Sequence, residues 1–275
     1  MAVETTTFSN NSADTWFRDI MFDCVLCPRA CHVNRLAGQT GYCGQTAELM
    51  AARASLHYWE EPCISGTSGS GTVFFSGCNL RCVFCQNHNI ALGKAGRVIA
   101  PEHLAEIFLQ LQEQGANNIN LVTPTHFLPQ IVIALEQAKQ QGLHLPIVYN
   151  TGSYESPEAL RHLEGLVDIY LPDLKYFSPE LSTAYSHAPD YFETACAAIS
   201  EMYRQVGDSV IDEETGLMQH GMIVRHLLLP GQTKDSKKIL RYLHETYGDH
   251  IYISIMNQYT PCLLYTSPSP RDTER

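Results

Sequence analysis

Strands and helices alternate along most of this 275-residue chain. The pattern predicts an α/β fold: a partial (β/α)6 barrel, TIM-like, behind a cysteine-rich N-terminal extension. Three observations carry that expectation. Short apolar runs read as six strands, amphipathic stripes fill the gaps between them, and glycines close helices shortly before the next strand begins. In such folds the chemistry collects where strands run out at their C-terminal ends.

Each element has its own signal. Residues 1–20 are polar, rich in Thr, Ser and Asn, and read as a loosely ordered lead-in. Residues 21–71 form the cysteine-rich segment, 72–261 the barrel and 262–275 a tail outside it. The glycines from Gly66 to Gly71 run G-x2-G-x-G ahead of a strand, where a dinucleotide fingerprint follows one, so they read as turn residues feeding strand 72–76. Pro101 opens a helix at the favoured first position, with Leu104, Ile107, Phe108 and Leu111 on one face and Gly115 closing it. Strand 118–122 follows, then a helix opened by Pro129 (Ile131, Leu135, Ala138) and ended by Gly142. The third strand is 145–149; Ser156 and Pro157 then cap a short helix ahead of the fourth, 167–171. A longer helix from Pro189 to Val206 carries the stripe Phe192, Cys196, Ile199, Tyr203 and Val206. Strands 222–229 and 251–256 flank a last helix with Ile239, Leu240 and Leu243. Residues 263–275 show no helical period where a sixth covering helix is due. They resemble a translated sequencing-adapter scar, and the expectation is that the native chain continued differently after Pro261.

Composition narrows the function. A net charge of −11 argues against a nucleic-acid partner, which needs a basic surface. No basic-then-apolar leader opens the chain and no apolar run reaches transmembrane length, so no membrane role is expected. Ten cysteines without a leader point to metal binding in a reducing compartment, the cytoplasm by default.

Cys78, Cys82 and Cys85 form a C-x3-C-x2-C run with Phe84 before the last cysteine. Three thiolates grip one corner of an iron–sulfur cube and leave an iron open to a non-protein ligand. A zinc knuckle or three buried thiols is the blander alternative, but the spacing does not match paired zinc hooks. The run resembles the signature of the radical S-adenosylmethionine (SAM) superfamily. That resemblance implies a [4Fe–4S] cluster on these three catalytic cysteines, with SAM on the open iron. Reductive cleavage to a 5′-deoxyadenosyl radical and hydrogen-atom abstraction then follow, with a flavodoxin- or ferredoxin-type electron donor and anaerobic conditions. Arg81, inside the run, either solvates or stabilises the reduced cluster.

Further residues are implied as cofactor contacts. Besides Phe84, they are Thr123, Pro124 and Thr125, where the superfamily has a glycine-rich turn for SAM's amino group; hydroxyls and carbonyls there accept from an ammonium. His126 reads as structural, or as a proton donor or substrate contact. The third strand ends in Asn150 and Thr151, and the fourth in Asp173-Leu174-Lys175. The latter is similar to pyruvate formate-lyase-activating enzymes. That narrower likeness implies Asp173 near a monovalent cation beside SAM, Lys175 on SAM's carboxylate, and a glycyl-radical enzyme as partner. Asn150 stands where those relatives carry an aspartate, which puts the cation in doubt, and a surface ion pair is the other reading of Asp173 and Lys175. Arg225 and His226 fall on opposite faces of one strand, so one looks into the barrel and the other at the helices. Asn257, with Gln258 and Tyr259, ends the sixth strand as a candidate adenine or substrate contact.

Upstream, Cys24, Cys27, Cys31 and Cys43 are spaced C-x2-C-x3-C-x11-C, which suits zinc or a second iron–sulfur cluster; reduced thiols are the alternative. Their CxxCPRxC context resembles an uncharacterised subgroup of activating-enzyme-like proteins. Two other functions stay open: a radical SAM enzyme acting on a small molecule or peptide, and a non-catalytic zinc-binding interaction module.

Overall fold

The computed structural model describes residues 12–259. Its first helix, α1 (Ser12–Phe22), buries Phe17 and Met21 one turn apart and stacks Trp16 on His162 at 3.7 Å. Residues 12–20, expected to be loosely ordered, therefore lie in a helix docked on the barrel. The rest of the lead-in and the 262–275 tail fall outside the described residues.

After the cysteine-rich loops come β1 (Met50–His57), α2 (Pro62–Ser65) and β2 (Ser70–Phe75). Then follow α3 (His88–Ala91), β3 (Arg97–Val98), α4 (Pro101–Glu113), β4 (Ile119–Val122), α5 (Leu128–Gln140) and β5 (Ile147–Thr151). Next are α6 (Pro157–Leu160), β6 (Ile169–Pro172), α7 (Pro179–Ser186), α8 (Tyr191–Val206) and β7 (Val210–Ile211). The described part ends with β8 (Met218–Leu227), α9 (Thr233–Tyr247) and β9 (Tyr252–Met256). No helix among the described residues is long and apolar enough to cross a membrane.

Strands β2, β4, β5, β6, β8 and β9 pair in that order, all parallel, and make the partial (β/α)6 barrel. β1 and β3 extend its first edge in antiparallel fashion, and β7 pairs antiparallel with β8. Among the described residues no ladder joins β9 to β1 or β3, so the barrel stays open along one side. Neither β1 nor α7 was expected. The run Ala51, Ala52, Arg53, Ala54, Ser55 lacks the apolar alternation that marks a strand. Although β1 belongs to the cysteine-rich segment, it shares a sheet with the barrel.

Strand alternation sorts the core into two layers. Outward side chains, among them Val73, Leu121, Tyr149, Tyr170 and Val224, meet the helices in the main core. Inward ones, Val148, Ile169, Leu171 and Ile223, form a separate apolar plug with Ile64 of α2. The plug seals the N-terminal end of the barrel, where Asn118 Nδ2 donates to the Ile64 carbonyl at 2.7 Å. Burying each such side chain stabilises the fold by about 1.5–3 kcal/mol. Helix α8 shows a rotated stripe: Tyr191, Ala195, Ala198, Ile199, Met202 and Val206 are buried, whereas Phe192, Cys196 and Tyr203 only flank the core. Its alanines let the helix approach β6 and β8, and the larger rings cover the margins.

Candidate active site

Beyond the apolar plug, the inward positions of the same strands turn polar. Asn120 on β4, Asn150 on β5, Asp173 just past β6 and Arg225 on β8 form a hydrogen-bonded set below a cavity of about 670 Å3. That volume lies within the range of small-molecule and cofactor sites. Of Arg225 and His226, it is Arg225 that looks into the barrel. His226 turns outward between the Leu174 carbonyl, at 2.7 Å, and Ser236 Oγ, at 2.8 Å.

Arg225 holds three acceptors at once. Its Nε donates to Asp173 Oδ1 at 2.9 Å, its Nη2 to Asn150 Oδ1 at 2.6 Å, and its Nη1 reaches Glu60 Oε1 at 3.3 Å. Glu60 also accepts from Asn120 Nδ2 at 2.8 Å and Asn150 Nδ2 at 2.7 Å through its other oxygen. Lys175 Nζ lies 2.5 Å from Asp173 Oδ2. Burial works against the Asp173 charge, but the Arg225 guanidinium and the Lys175 ammonium outweigh it and hold the carboxyl below the usual aspartate range. Burial likewise opposes the charge on Lys175, and Asp173 outweighs it, so the ammonium is held above its usual range. The pair is thus an internal, charged device and not a surface ion pair.

Cys78, Cys82 and Cys85 all line this cavity, on the loop that leaves β2 at the C-terminal end of the barrel. The loop is shaped by left-handed backbone at Gly77 (φ 88°) and Arg81 (φ 52°). A side chain at Gly77 would collide with the Cys43 carbonyl and Gln45, so the cysteine-rich segment packs directly against the loop. Several donors face the sulfurs. The Leu80 N–H lies 3.4 Å from Cys78 Sγ, and Ser186 Oγ donates to Cys82 Sγ at 3.0 Å. Burial, followed by the neighbouring Cys78 and Cys82 sulfurs, pushes the Cys85 thiol up to about 12. A metal group must therefore displace its protons on loading. No three His, Cys, Asp or Glu side chains among the described residues converge on the position of a single ion. Three sulfurs on one cavity wall, met by hydrogen-bond donors and by a lysine, fit a [4Fe–4S] cluster with one iron left for SAM.

The expected contacts divide. Phe84, Thr123, Asn150, Asp173 and Lys175 line the cavity; Pro124, Thr125 and Asn257 do not. Thr125 is buried and donates its hydroxyl to Glu155 Oε1 at 2.5 Å, so its side chain is spent inside the fold. Asn257 is exposed, and its neighbour Gln258 lines the cavity instead. Phe84 packs edge-on against Tyr176 and Tyr185. Arg81 points away from solvent, its guanidinium over the Tyr42 ring at 5.3 Å. Sequence reading missed Glu60 and Glu155. Glu60 comes from the link between β1 and α2, where no motif marks it. Glu155 lies buried beyond β5 beneath Thr125, Thr151 and Tyr149. Burial raises its carboxyl to about 7.

A six-stranded open barrel with three cysteines on the loop after its first strand defines a class of enzymes that cleave SAM reductively. The sequence model of the Radical SAM superfamily matches residues 72–243, and the chain belongs to that superfamily. The chain is similar to the uncharacterized protein MJ0674 of Methanocaldococcus jannaschii, 28% identical over 254 residues that cover 89% of this chain and 68% of that one. It is also similar to a pyruvate formate-lyase-activating enzyme of Clostridium pasteurianum, 29% identical over 121 residues, 41% of this chain and 48% of that one. Among solved structures, native anSMEcpe with bound AdoMet and Kp18Cys peptide overlays with a TM-score of 0.48 at 16% identity. That overlay covers 72% of this chain and 54% of the other, so the chain spans about half of that protein's length.

Proposed function

We propose that Cys78, Cys82 and Cys85 hold the [4Fe–4S] cluster of a SAM-cleaving enzyme whose hydrogen donor is a polypeptide, as in activating enzymes that act on a glycine of a partner protein. The observation that carries the reading is that three thiols and a lysine held charged by Asp173 line the same cavity. When bound, the cluster supplies an electron to SAM, and the split sulfonium yields the carbon radical that takes a hydrogen atom. The chain's own residues do the rest. Lys175 presents an ammonium to a carboxylate, and Asp173 fixes its position. Both oxygens of Asp173 already have cationic partners, and Asn150 is shared between Glu60 and Arg225. Arg225 therefore supplies the positive charge that a monovalent cation would bring. Phe84 and its neighbouring tyrosines exclude water from the cluster side.

The polypeptide part of the reading rests on the open side of the barrel and on the likeness to an activating enzyme. Trp59, 89% exposed, and Ile255, 58% exposed, line the cavity from opposite edges of the gap, which leaves room for a loop of another chain to enter. The polar floor of Glu60, Asn120 and Asn150 favours a second reading, a small polar substrate held inside. A flavodoxin- or ferredoxin-type protein in the cytoplasm would deliver the electron.

The test is anaerobic reconstitution with iron and sulfide, then dithionite and SAM. Release of 5′-deoxyadenosine, abolished in Cys82→Ala, is expected; a Cys82→Ala protein that still cleaves SAM would overturn the ligand assignment. A new glycine-centred electron-spin signal on a co-purified partner would support the activating role. Transfer of deuterium from a small substrate into 5′-deoxyadenosine would support the second reading.

A further inference from the structure

A second cavity, of about 10 Å3, lies under the cluster loop and is lined by all four upstream cysteines, Cys24, Cys27, Cys31 and Cys43, together with Arg35 and His126. Its size is that of roughly one small probe sphere. Thiols and an imidazole around so small a space are the donor set of a tetrahedral zinc ion.

Two buried groups in its wall lack the partner they need. The first is His126, 2% exposed. Its Nε2 lies 2.6 Å from the Ser76 carbonyl, which can only accept, so the proton sits on Nε2 and Nδ1 carries a lone pair. Nδ1 is buried and has no hydrogen-bond partner. One ring nitrogen donating to a backbone carbonyl while the other is left bare is the arrangement that orients a metal-binding imidazole. The second group is Arg35, also 2% exposed. It donates to the Thr46 carbonyl at 2.7 Å and lies 4.0 Å from Cys24 Sγ. No carboxylate pairs with it among the described residues, and a buried guanidinium demands an anion.

The sulfurs are also prepared. The Tyr42 N–H donates to Cys31 Sγ at 3.3 Å, and the backbone N–H groups of Arg29 and Gln45 face the Cys27 and Cys43 sulfurs. Gly41 passes so close to Cys31 that a Cβ there would lie 2.7 Å from its sulfur.

We propose that this cavity binds one zinc ion through His126 Nδ1 and three of the four thiolates, with Arg35 as the countercharge. A divalent ion with three thiolates and a neutral imidazole carries one net negative charge, which Arg35 cancels; Arg29, also in the lining, donates to the Asn79, Ser186 and His187 carbonyls instead. Loading releases three thiol protons to solvent and moves no electron. No three of these groups already converge on an ion's position, so the ion draws them together from around the cavity. The centre then braces the active site. Ser76, which holds His126, stands two residues before Cys78, and Asn79 of the cluster loop hydrogen-bonds Cys27. The assignment of zinc does not rest on SAM cleavage, and its ligand set can be read whether or not that proposal holds.

Zinc K-edge X-ray absorption on the intact, anaerobically purified protein tests this without any variant, because iron does not contribute at that edge. One zinc per chain with three sulfur neighbours and one nitrogen is expected. A protein without zinc, a shell of four sulfurs, or additional iron and sulfide in a protein lacking Cys78, Cys82 and Cys85 would each overturn it. As a second arm, His126→Gln is expected to lose zinc to a chelator about 10–100-fold more readily, with an unchanged circular-dichroism spectrum. Zinc retention equal to wild type in that variant would also overturn it.

Discussion

Replacing Arg225 with methionine keeps most of the stem and removes the fork that joins β8 to β5, β6 and the β1–α2 link. Three acceptors lose their donor: Asp173 Oδ1, Asn150 Oδ1 and Glu60 Oε1. Removing one partner of a buried ion pair costs about 3–5 kcal/mol, much of it the penalty of the charge left behind. Here the side chains are 11% to 16% exposed and border an open cavity, so water relieves part of that penalty. The loss should therefore fall near the lower end, about 3 kcal/mol, equivalent to a drop of roughly 6–12 °C in Tm for a chain of this size. Thermal unfolding followed by circular dichroism under anaerobic conditions reads it. The paired variant Asp173→Asn/Arg225→Met removes both charges and should lose less than the sum of the two single changes. The pH response carries a sign as well. Arg225 and Lys175 hold the Asp173 carboxyl below its unfolded value, so its contribution is present above that value and is lost as pH falls through the folded one. In Arg225→Met that loss begins at higher pH. A Tm within about 1 °C of wild type would show that the network merely solvates itself, and the reasoning would fail.

Other residues give sharper single readouts. Burial raises the Glu155 carboxyl from 4.5 to about 7, so the folded state keeps a proton that the unfolded state has lost, and stability falls as pH rises across that interval. Glu155→Gln keeps the acceptor and removes the titration. The two proteins should match near pH 4 and diverge by about 3 kcal/mol in favour of the variant near pH 8, in paired melting curves; parallel curves would refute it. Ser186→Ala removes the hydroxyl that meets Cys82 Sγ at 3.0 Å, and the cluster's reduction potential should move to a more negative value in a spectroelectrochemical titration. Trp59→Ala should leave stability within about 0.5 kcal/mol and SAM cleavage intact, because the ring is almost wholly exposed. It should instead weaken capture of a protein substrate, read as a rise in KM.

The six parallel strands were legible because each is a short apolar run bounded by turn residues, and the first five are each followed by a helical stripe before the next strand. The cysteine loop stood out because its three thiols lie within one short contiguous run, and all three line the cavity. What escaped belongs to contacts between distant segments. Glu60 reaches Asn120, Asn150 and Arg225 across the barrel, at separations up to 165 residues, and nothing local to its sequence announces that. β1 hides because alanine and serine carry no period. Thr125 misled because a threonine hydroxyl serves a cofactor or a buried carboxylate equally well, and only the position of Glu155 decides.

His126 shows how the two kinds of information combine. Taken as a letter, it is an ordinary histidine beside a phenylalanine, and a structural role is the sensible expectation. Its place in the fold adds two facts that no spacing contains: a carbonyl that fixes the proton on Nε2, and four cysteines some 83 to 102 positions earlier lining the same cavity as the ring. The superfamily match spans residues 72–243 and leaves these four cysteines outside it. The cluster loop touches both sets, through Gly77 against Cys43 and Gln45 and through Asn79 against Cys27. If zinc organises the upstream cysteines, removing it should loosen the loop and lower iron retention at Cys78, Cys82 and Cys85. Chelating the zinc from reconstituted protein and then counting the iron that stays bound measures that coupling. Full iron retention after complete zinc loss would mean that the two sites merely adjoin.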